Sequence, residues 1–154
     1  MALSPINTDI DINFGKNKFT NDISLVKDVY SIRQSLINLV LTIPGEKPFN
    51  RNFGTSINDS LFENFSPVDS LRLEMELRDK IKLFETRVKV DKIVVNDFPI
   101  NDDEPFVEGH PIDAAKEYAS DINLLYVYIS YIIRANNPGS VLRDSVTIGL
   151  TKVR

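Results

Sequence analysis

The sequence predicts an α+β domain in which two main helices pack on a small, mostly antiparallel sheet of three to four strands, with an extended turn between the helices. Apolar residues recur at helical spacing over residues 21–42 and again over residues 66–84. Turn-forming residues separate these two segments. Runs rich in β-branched and aromatic residues, which favour strands, come later in the chain at residues 87–95, 121–134 and 141–153.

Composition places the chain among ordinary globular proteins. Its 154 residues suffice for one domain with a buried core, and its hydrophobic content of 42% and charged content of 26% are typical. The net charge of −4 gives no electrostatic reason to expect a nucleic acid or a membrane as partner. Cysteine is absent, which excludes disulfides and thiolate metal sites. Without a signal-peptide pattern or an apolar run long enough to span a bilayer, we expect a soluble protein.

Residues 1–20 are polar, with isolated apolar side chains, and indicate an N-terminal arm. Ile10 and Ile12 alternate with aspartates, which is a weak strand pattern. Two alternatives remain open. The arm is loosely ordered, or it orders by docking on a neighbouring protein that buries Phe14 and Phe19.

The first helix should begin near Asn21 or Asp22, since either side chain can cap a helix N-terminus. Its apolar stripe is wider than the narrow seam of a coiled coil, so we expect other elements to cover it from more than one side. This helix is therefore predicted to be the central helix of the core.

The central turn is marked by Pro44–Gly45. Proline presets φ near −65° and glycine accepts a positive φ, and these are the requirements of the two middle positions of a type II turn. We expect short extended arms on either side of it, at residues 41–43 and 47–49.

A short helical turn at residues 56–62 precedes the second helix, which should begin at Ser66. Serine can cap the N-terminus, Pro67 suits the first helical position, and the acidic Asp69 suits the positive end of the helix dipole. The helix should end near Phe84. Its predicted core-facing residues are Val68, Leu71, Met75, Ile81 and Phe84.

Three strands are predicted in the second half of the chain. In residues 87–95 the alternation of apolar and charged residues breaks at Asp91–Lys92, which predicts a β-bulge. Residues 121–134 are apolar in both phases, so this strand should be covered on both faces. Residues 141–153 carry apolar side chains on one side only, which predicts a half-exposed edge strand able to pair with another chain.

The stretch from Asp97 to Asp121 holds eight acidic side chains and one lysine, a net charge of −7. Its three prolines indicate a long surface loop, which could meet a basic partner surface. The acidic residues lack the register of a calcium-binding loop. His110 is the only histidine of the chain, so we expect no metal site and no cofactor.

No catalytic constellation is recognisable. One histidine and no cysteine leave no convincing partner for a nucleophilic serine, and no glycine-rich phosphate-binding motif occurs. Adjacent carboxylates such as Asp102 and Asp103 lie in a polar loop, where nothing would raise a pKa as acid catalysis requires. We therefore predict that the protein is not an enzyme.

Four stretches occur in an order that resembles a known family. They are Ser35 to Thr42 at the end of the first helix, Pro-Gly-Glu-Lys-Pro-Phe at residues 44–49, Phe53–Gly54, and Leu61–Phe62–Glu63. Over residues 20–135 the chain is similar to the small baseplate wedge proteins of contractile-tailed phages. That family includes the TssE component of type VI secretion and is related to the IraD anti-adaptor. Lys47 stands where the family commonly has arginine, whose planar fork lysine cannot reproduce, and Arg51 stands where proline is common.

The resemblance implies a structural protein of the tail baseplate that lies around the central tube and carries the first ring of sheath subunits. Its implied partners are the tail sheath protein and other wedge subunits, with about six copies per baseplate, assembled in the host cytoplasm into the virion. The implied organisation is an arm at residues 1–20, a wedge domain at 21–135 with the acidic loop at 97–121, and a C-terminal strand extension at 136–154. The alternative is a regulatory adaptor, similar to IraD, that binds a response-regulator partner.

The resemblance also places a partner-binding site at the central turn. The residues concerned are Gly45, Glu46, Lys47, Pro48, Phe49, Arg51, Phe53 and Gly54. We expect Glu46 to pair with a basic group, which is Lys47, Arg51 or an arginine of a partner. For Phe49 and Phe53, filling of the core is expected more than direct contact with a partner.

Overall fold

In a computed structural model, the protein is described over residues 7–63, 65–97, 124–133 and 142–151. The elements in chain order are β1 (Thr8–Ile10), β2 (Leu25–Lys27), α1 (Val29–Leu41), α2 (Ile57–Ser60), α3 (Pro67–Phe84), β3 (Val88–Asn96), β4 (Leu124–Ile133) and β5 (Leu142–Thr151). In the described ranges, three helices accompany antiparallel sheets of two and three strands, which confirms the predicted α+β class.

The larger sheet is antiparallel and has β4 between β3 and β5. β4 and β5 pair without a break along all ten residues of each strand. Between β3 and β4 the register shifts between Val90 and Lys92. The bulge predicted from the broken alternation at Asp91–Lys92 is therefore confirmed.

The core lies between helices α1 and α3 and one face of this sheet. A fully buried leucine or isoleucine side chain contributes about 1.5–3 kcal/mol, so this cluster is the main source of stability. Its completely buried members are Ile32, Leu36, Leu39 and Val40 on α1, Ile57 on α2, Leu73, Leu77 and Ile81 on α3, Val95 on β3, and Leu125, Val127, Ile129 and Tyr131 on β4. The paired Val94 and Tyr128, in the other phase of their strands, are also buried. The other residues of that phase of β4, Leu124, Tyr126, Ser130 and Ile132, are only half-buried, so β4 is fully covered on its core face and partly covered on the other, where the sequence predicted cover on both.

Helix α1 begins at Val29, so the prediction that it begins near Asn21–Asp22 is wrong. The reason is that residues 25–27 are extended and pair antiparallel with β1. This main-chain pairing outweighs the weak helical preference of the local sequence. Asp28 then turns the chain into the helix with a φ of 48°, a backbone conformation that is uncommon outside glycine.

β1 and β2 belong to a longer structure, residues 7–28, called here the N-terminal hairpin. The side-chain amide of Gln34 fastens it to α1. Gln34 Nε2 donates to the carbonyl oxygen of Ile10 at 2.6 Å, and the N–H of Ile12 donates to Gln34 Oε1 at 3.1 Å. From Thr8 onwards, the segment predicted as an arm therefore pairs within its own chain.

Helix α3 begins and ends where the sequence predicts. Ser66 Oγ accepts from the N–H of Asp69 at 3.3 Å, and Asp69 Oδ2 accepts from the N–H of Ser66 at 3.2 Å. This reciprocal pair is a capping box, and Pro67 occupies the first helical position. The last residue is Phe84.

The predicted core face of α3 is wrong in part. The side chains of Val68, Leu71 and Met75 are 74%, 59% and 68% exposed. The residues that α3 buries are Leu73, Leu77 and Ile81. Both sets have helical spacing, so periodicity alone cannot choose between them, and the position of the sheet decides which set is covered.

Strand β5 has the half-exposed pattern predicted for it. Val146 and Ile148 are buried, whereas Arg143 and Thr147 are exposed. Within the described ranges it forms one edge of the larger sheet. The predicted acidic loop lies outside the described residues except for Asp97, and so does His110.

Candidate partner-binding site

The chain leaves α1 at Thr42 and reaches α2 at Ser56 through a segment called here the central turn (residues 42–56). It contains three successive bends closed by main-chain hydrogen bonds, from the N–H of Glu46, Asn50 and Phe53 to the carbonyl oxygen three residues earlier in each case. These bonds are 3.1, 3.3 and 3.2 Å long. The extended arms predicted on either side of Pro44–Gly45 are therefore wrong, since the chain bends again at once.

The first bend has the predicted chemistry of a type II turn. Gly45 has a φ of 95°, and its missing Cβ would meet nothing within 4 Å. Glu46 Oε2 accepts from the N–H of Ile43 at 3.2 Å, so this carboxylate closes its own turn. Over the described residues the ion pairs join Arg33 to Asp144 and Arg87 to Glu85. Among the described residues, Glu46 therefore forms an ion pair with neither Lys47 nor Arg51.

Phe53 fills the base of the central turn, as expected. Its ring is half-buried against the core and meets Phe84 edge to face, with centroids 5.2 Å apart and an angle of 66° between the rings. Lys47 Nζ lies 3.9 Å from the centroid of the Phe53 ring. Such a cation–π contact is worth about 0.5–1 kcal/mol at an exposed site, and it aims the Lys47 side chain.

Gly54 is where the two ends of the central turn come together. Its φ is 106°, and a Cβ at this position would lie 2.3 Å from the carbonyl oxygen of Thr42. The next residue closes the base, since Thr55 donates its N–H to the same oxygen at 3.0 Å and its Oγ1 to the carbonyl of Val40 at 2.8 Å. No side chain larger than hydrogen fits here without moving the main chain.

Side chains of helix α3 form hydrogen bonds to the central turn. Lys80 Nζ donates to the carbonyl oxygen of Asn52 at 2.7 Å. The carboxylate of Glu76 accepts from the N–H of Ser56 at 2.9 Å and also from its hydroxyl. With both ends and one side fixed, the central turn is a rigid projection.

Phe49 lies at the tip of this projection and is fully exposed, at 109% of the reference area. The expectation that it fills the core is wrong, because the bend at residues 47–50 carries it away from the helices. Its φ of 65° is also unfavourable for a bulky side chain. Pro48 and Arg51 are exposed beside it.

An open groove of about 900 Å³ runs beside the central turn. Its lining comes from the end of α1, the turn, the N-terminal hairpin and the residues after α3, and includes Asn38, Lys47, Phe53, Glu85 and Arg87. This groove brings together three of the predicted site residues, Glu46, Lys47 and Phe53. Gly45, Pro48, Phe49, Arg51 and Gly54 lie outside its lining.

The buried end of the groove is a carboxylate–guanidinium pair. Glu85 is 3% exposed and accepts from Arg87 Nε and Nη2, both at 2.5 Å. Burial disfavours the charged carboxylate, but the hydrogen bonds from Arg87 and Ser35 outweigh it, so the pKa of Glu85 lies below its ordinary value. The pair is therefore fixed and ionised at neutral pH.

Sequence reasoning missed this pair and a second one. The sequence Glu-x-Arg directly after α3 was a usable signal, because residues two apart in an extended segment point to the same side. The second pair joins Arg33 on α1 to Asp144 on β5, with Nη2 to Oδ1 at 2.6 Å, and Tyr131 Oη donates to Asp144 at 2.6 Å. No local signal could reveal it, since Arg33 and Asp144 are 111 residues apart.

Over the described ranges, no group of three or more histidine, cysteine, aspartate or glutamate side chains could hold a metal ion. None of the described helices is long and apolar enough to cross a membrane.

The sequence of the chain is similar to that of a known protein family. The sequence model of the family described as baseplate wedge protein gp25 matches residues 26–105, just over half of the chain. The baseplate wedge protein gp25 of Enterobacteria phage T4 is 32% identical over 101 residues, which are 66% of this chain and 74% of that protein.

Two solved structures share the fold. One is a crystal structure from Geobacter sulfurreducens, provisionally named a tail lysozyme, with a TM-score of 0.59 and 19% identity over 86% of this chain and 97% of that chain. The other is a chain of the cryo-EM structure of the anti-feeding prophage baseplate, with a TM-score of 0.53 and 21% identity over 64% of this chain and 76% of that chain. At these identities the two structures support the fold alone. The family match and the phage relative go further, and this chain belongs to the baseplate wedge protein gp25 family.

Proposed function

We propose that this wedge protein anchors the tail sheath and initiates its assembly around the central tube of a contractile injection system. The partners are the sheath protein and other wedge subunits. We further propose about six copies per baseplate, for which the six-fold symmetrised baseplate of the anti-feeding prophage is the precedent. The protein would reach the baseplate after synthesis in the host cytoplasm.

Phe49 is the observation that carries the proposal. A phenylalanine that is fully exposed and has a φ of 65° contributes no buried apolar area to the stability of the free protein and strains its backbone. The surrounding turn is nevertheless held rigid by Lys80 and Glu76. A rigid display of an aromatic side chain is the arrangement expected of an anchor residue that a partner covers.

The groove beside the central turn extends the same surface. A partner segment seated next to Phe49 would meet the aimed ammonium group of Lys47 and the fixed pair of Glu85 and Arg87. These charges are held in place before binding, so little side-chain entropy is lost when the partner docks. The remaining predicted residues have shaping roles in this proposal, with Gly45 and Gly54 setting the bends.

Strand addition supplies the second attachment. β5 is exposed on alternate residues and forms an edge of the larger sheet in the described ranges. Main-chain hydrogen bonds to an added strand give affinity, and the alternation of side chains gives register.

We also propose that the protein is not a glycosidase, despite the name of one structural neighbour. Glycoside hydrolysis needs an acid whose pKa is raised, together with a second carboxylate facing it across a cleft. The buried carboxylate of the groove, Glu85, has a lowered pKa because Arg87 and Ser35 stabilise its charged form. The relatives that show the family are baseplate proteins, so the regulatory-adaptor alternative gains no support.

The proposal is tested with the tail sheath protein of the same contractile system. Wild-type protein should co-sediment with sheath or nucleate short sheath tubes visible by negative-stain microscopy. Phe49→Asn should weaken this association at least tenfold, since asparagine tolerates a positive φ but removes the aromatic anchor.

Phe19→Asn is the matched control, because Phe19 is 97% exposed but lies in the N-terminal hairpin. Equal loss in both variants would point to general surface hydrophobicity. Normal sheath association by Phe49→Asn would contradict the role given to the central turn.

A further inference from the structure

Asp144 is the one charged side chain that strand β5, over Leu142–Thr151, directs towards the core. The other residues in the core-facing phase of the strand are aliphatic, and the whole phase consists of Leu142, Asp144, Val146, Ile148 and Leu150. A carboxylate in this phase needs hydrogen-bond donors, because burying a charge without them is costly. The bonds of Asp144 therefore show what holds β5 in its observed position.

Donors from α1, β4 and β5 itself hold the Asp144 carboxylate. Oδ1 accepts from Arg33 Nη2 at 2.6 Å, and Oδ2 accepts from Arg33 Nε at 3.3 Å. Oδ2 also accepts from Tyr131 Oη at 2.6 Å, and Tyr131 is fully buried on β4 directly opposite Asp144. The N–H of Ser145 is a further donor. A shift of β5 by two residues, about 6.8 Å, would take the carboxylate away from both Arg33 and Tyr131.

The aliphatic side chains of β5 would not fix this register by themselves. A shift by one residue would turn them to the exposed face, so the alternation of the strand excludes it. A shift by two residues keeps the alternation. It would place Leu142 opposite Tyr131, and the core-facing pairs further along would again be aliphatic. The exception is Asp144, which would come opposite the fully buried Ile129 and lose its donors.

The shift by two residues in the other direction is opposed by a different charge. It would bring Lys152 opposite the fully buried Leu125. The two strands are connected through residues 134–141, a longer connection than the two-residue turns that set the register of many hairpins. Asp144 is therefore the residue that excludes the remaining shift.

We infer that Asp144 fixes the register of β5 on β4, and that it thereby sets the position along the sheet at which a partner strand attaches to β5. A strand paired with β5 moves with it, so a two-residue shift would displace the partner by about 6.8 Å. This second part rests on the proposed strand addition, in which Asp144 is a positioning residue. The register is a property of this chain and can be tested without a partner.

The first experiment traps each register with a disulfide, in a chain that has no cysteine of its own. Ser130 and Ser145 are directly opposite in the observed register. Since the N–H of Ser145 bonds the Asp144 carboxylate, the two serines form a pair without mutual main-chain bonds, in which side chains lie close enough for a disulfide.

Ser130→Cys with Ser145→Cys therefore reports the observed register, and Ser130→Cys with Arg143→Cys reports the shifted one. With Asp144 retained, the first disulfide should form at least tenfold faster than the second under mild oxidation, because residues two positions out of register lie further apart. Equal rates would overturn the inference.

Asp144→Leu makes the whole core-facing phase of β5 aliphatic. The two disulfides should then form at rates within about threefold of each other, since nothing distinguishes the two registers. Asp144→Asn is the matched control. Its amide still accepts from Tyr131 and is still costly to bury beside Ile129, so the tenfold preference should remain. A folded Asp144→Leu protein that keeps this preference would overturn the inference.

A second variant guards against loss of folding, because Asp144→Leu leaves Arg33 and Tyr131 without their acceptor. Arg33→Met, Tyr131→Phe and Asp144→Leu together replace the whole cluster with apolar side chains, a change that proteins often tolerate when a buried ion pair is removed as a unit. This variant should fold and should lose the preference in the same way. If it keeps the preference, or if neither variant folds, the cluster serves stability and the inference is wrong.

Sheath attachment is measured on the two oxidised forms of Asp144→Leu. The form locked through positions 130 and 145 should bind sheath as the wild type does, and the form locked through positions 130 and 143 should bind at least tenfold more weakly, because the partner strand is displaced. Arg143→Cys alone is the control for loss of that exposed side chain. Equal binding by both locked forms would overturn the position given to the partner strand. Absence of sheath binding by the wild type would count against the proposed function, and the disulfide rates would then decide the register alone.

Discussion

The central turn and the N-terminal hairpin look alike by the usual signs of a binding surface, but they are built differently. Each contains an exposed phenylalanine with a positive φ, Phe49 at 65° and Phe14 at 49°. The central turn is fixed to α3 and closed at its base by Gly54. It also lies within the residues matched by the family, whereas most of the hairpin precedes them.

The hairpin is held mainly by its own strand pairing and by the amide of Gln34. The difference teaches that exposure and strain do not by themselves identify a site. In the proposed function, the central turn is distinguished by the fixed position of the main chain that carries Phe49, which makes binding less costly in conformational entropy.

Among the variants that test this comparison, Gly54→Ala should cause the largest loss of stability. The new Cβ would lie 2.3 Å from the oxygen and 2.9 Å from the carbon of the Thr42 carbonyl, and the φ of 106° is unfavourable for alanine. Because the obstacle is main chain, we expect a loss of roughly 3 kcal/mol or more in the free energy of unfolding, measured with urea.

Gly45→Ala is the matched control for that variant. Its φ of 95° is similar, but nothing lies within 4 Å of the added Cβ. Strain alone should then cost about 1–2 kcal/mol. Equal losses in the two variants would show that the close approach at Thr42 does not hold the turn.

Glu85→Gln should cause the next largest loss of stability. The Glu85–Arg87 pair lies in the groove between the central turn and the N-terminal hairpin. The amide keeps the shape but loses charge-assisted bonds to Arg87, which should cost about 2 kcal/mol at pH 7. Since the folded pKa of Glu85 is lowered, its ionised form stabilises the protein above the unfolded pKa of about 4.3. This contribution disappears as the pH falls through the lower folded pKa.

The measurement is urea unfolding of both proteins between pH 7 and pH 3. The difference between wild type and Glu85→Gln should shrink towards acid pH. If the difference in the free energy of unfolding did not change with pH, the Glu85–Arg87 pair would stabilise the fold by packing and not by charge.

The sequence predicted the fold class, the bulge in β3, both ends of α3 and the first bend of the central turn, because each depends on neighbouring residues. The Ser66–Asp69 capping box is the clearest case. Prediction from the sequence failed where contacts between residues distant in the chain determine the structure. β2 replaced the first turns of α1 because Thr8–Ile10 pairs with it.

The site shows the same division. Phe53 was correctly expected to pack and Phe49 was not distinguished from it, since both are phenylalanines in one turn-rich segment. The pair of Glu85 and Arg87 was not predicted, because burial of the Glu85 carboxylate depends on how α1 covers it. Ser35 is the α1 residue that hydrogen-bonds to this carboxylate. Propensity can place a bend, but it cannot say on which side of the bend the core lies.

Gln34→Ala should affect the hairpin alone. Two hydrogen bonds to β1 are lost at an exposed site, so global stability should fall by only about 1 kcal/mol. Amide exchange in residues 8–27 should become several-fold faster, while exchange in the central turn stays unchanged. Faster exchange in both regions would show that they are coupled, and the comparison between them would fail.

Phe49→Gly and Phe14→Gly should have the smallest effects and should be informative for that reason. Glycine adopts a positive φ without strain, which favours the folded state, but it also increases the conformational freedom of the unfolded chain. With little buried contact to lose at Phe49, the two terms nearly cancel, and stability should change by less than about 0.5 kcal/mol. Phe14, at 71% exposure, should lose slightly more.

Thermal unfolding of the two variants checks this balance. A fall of several degrees in Tm for Phe49→Gly would mean that the ring is packed in solution, which would remove the main support for its role as an anchor. If stability is unchanged, any loss of sheath association by that variant is a loss of contact with the partner. The same loss in Phe14→Gly would instead give the hairpin a share in the binding surface, and rigidity would no longer separate the two regions.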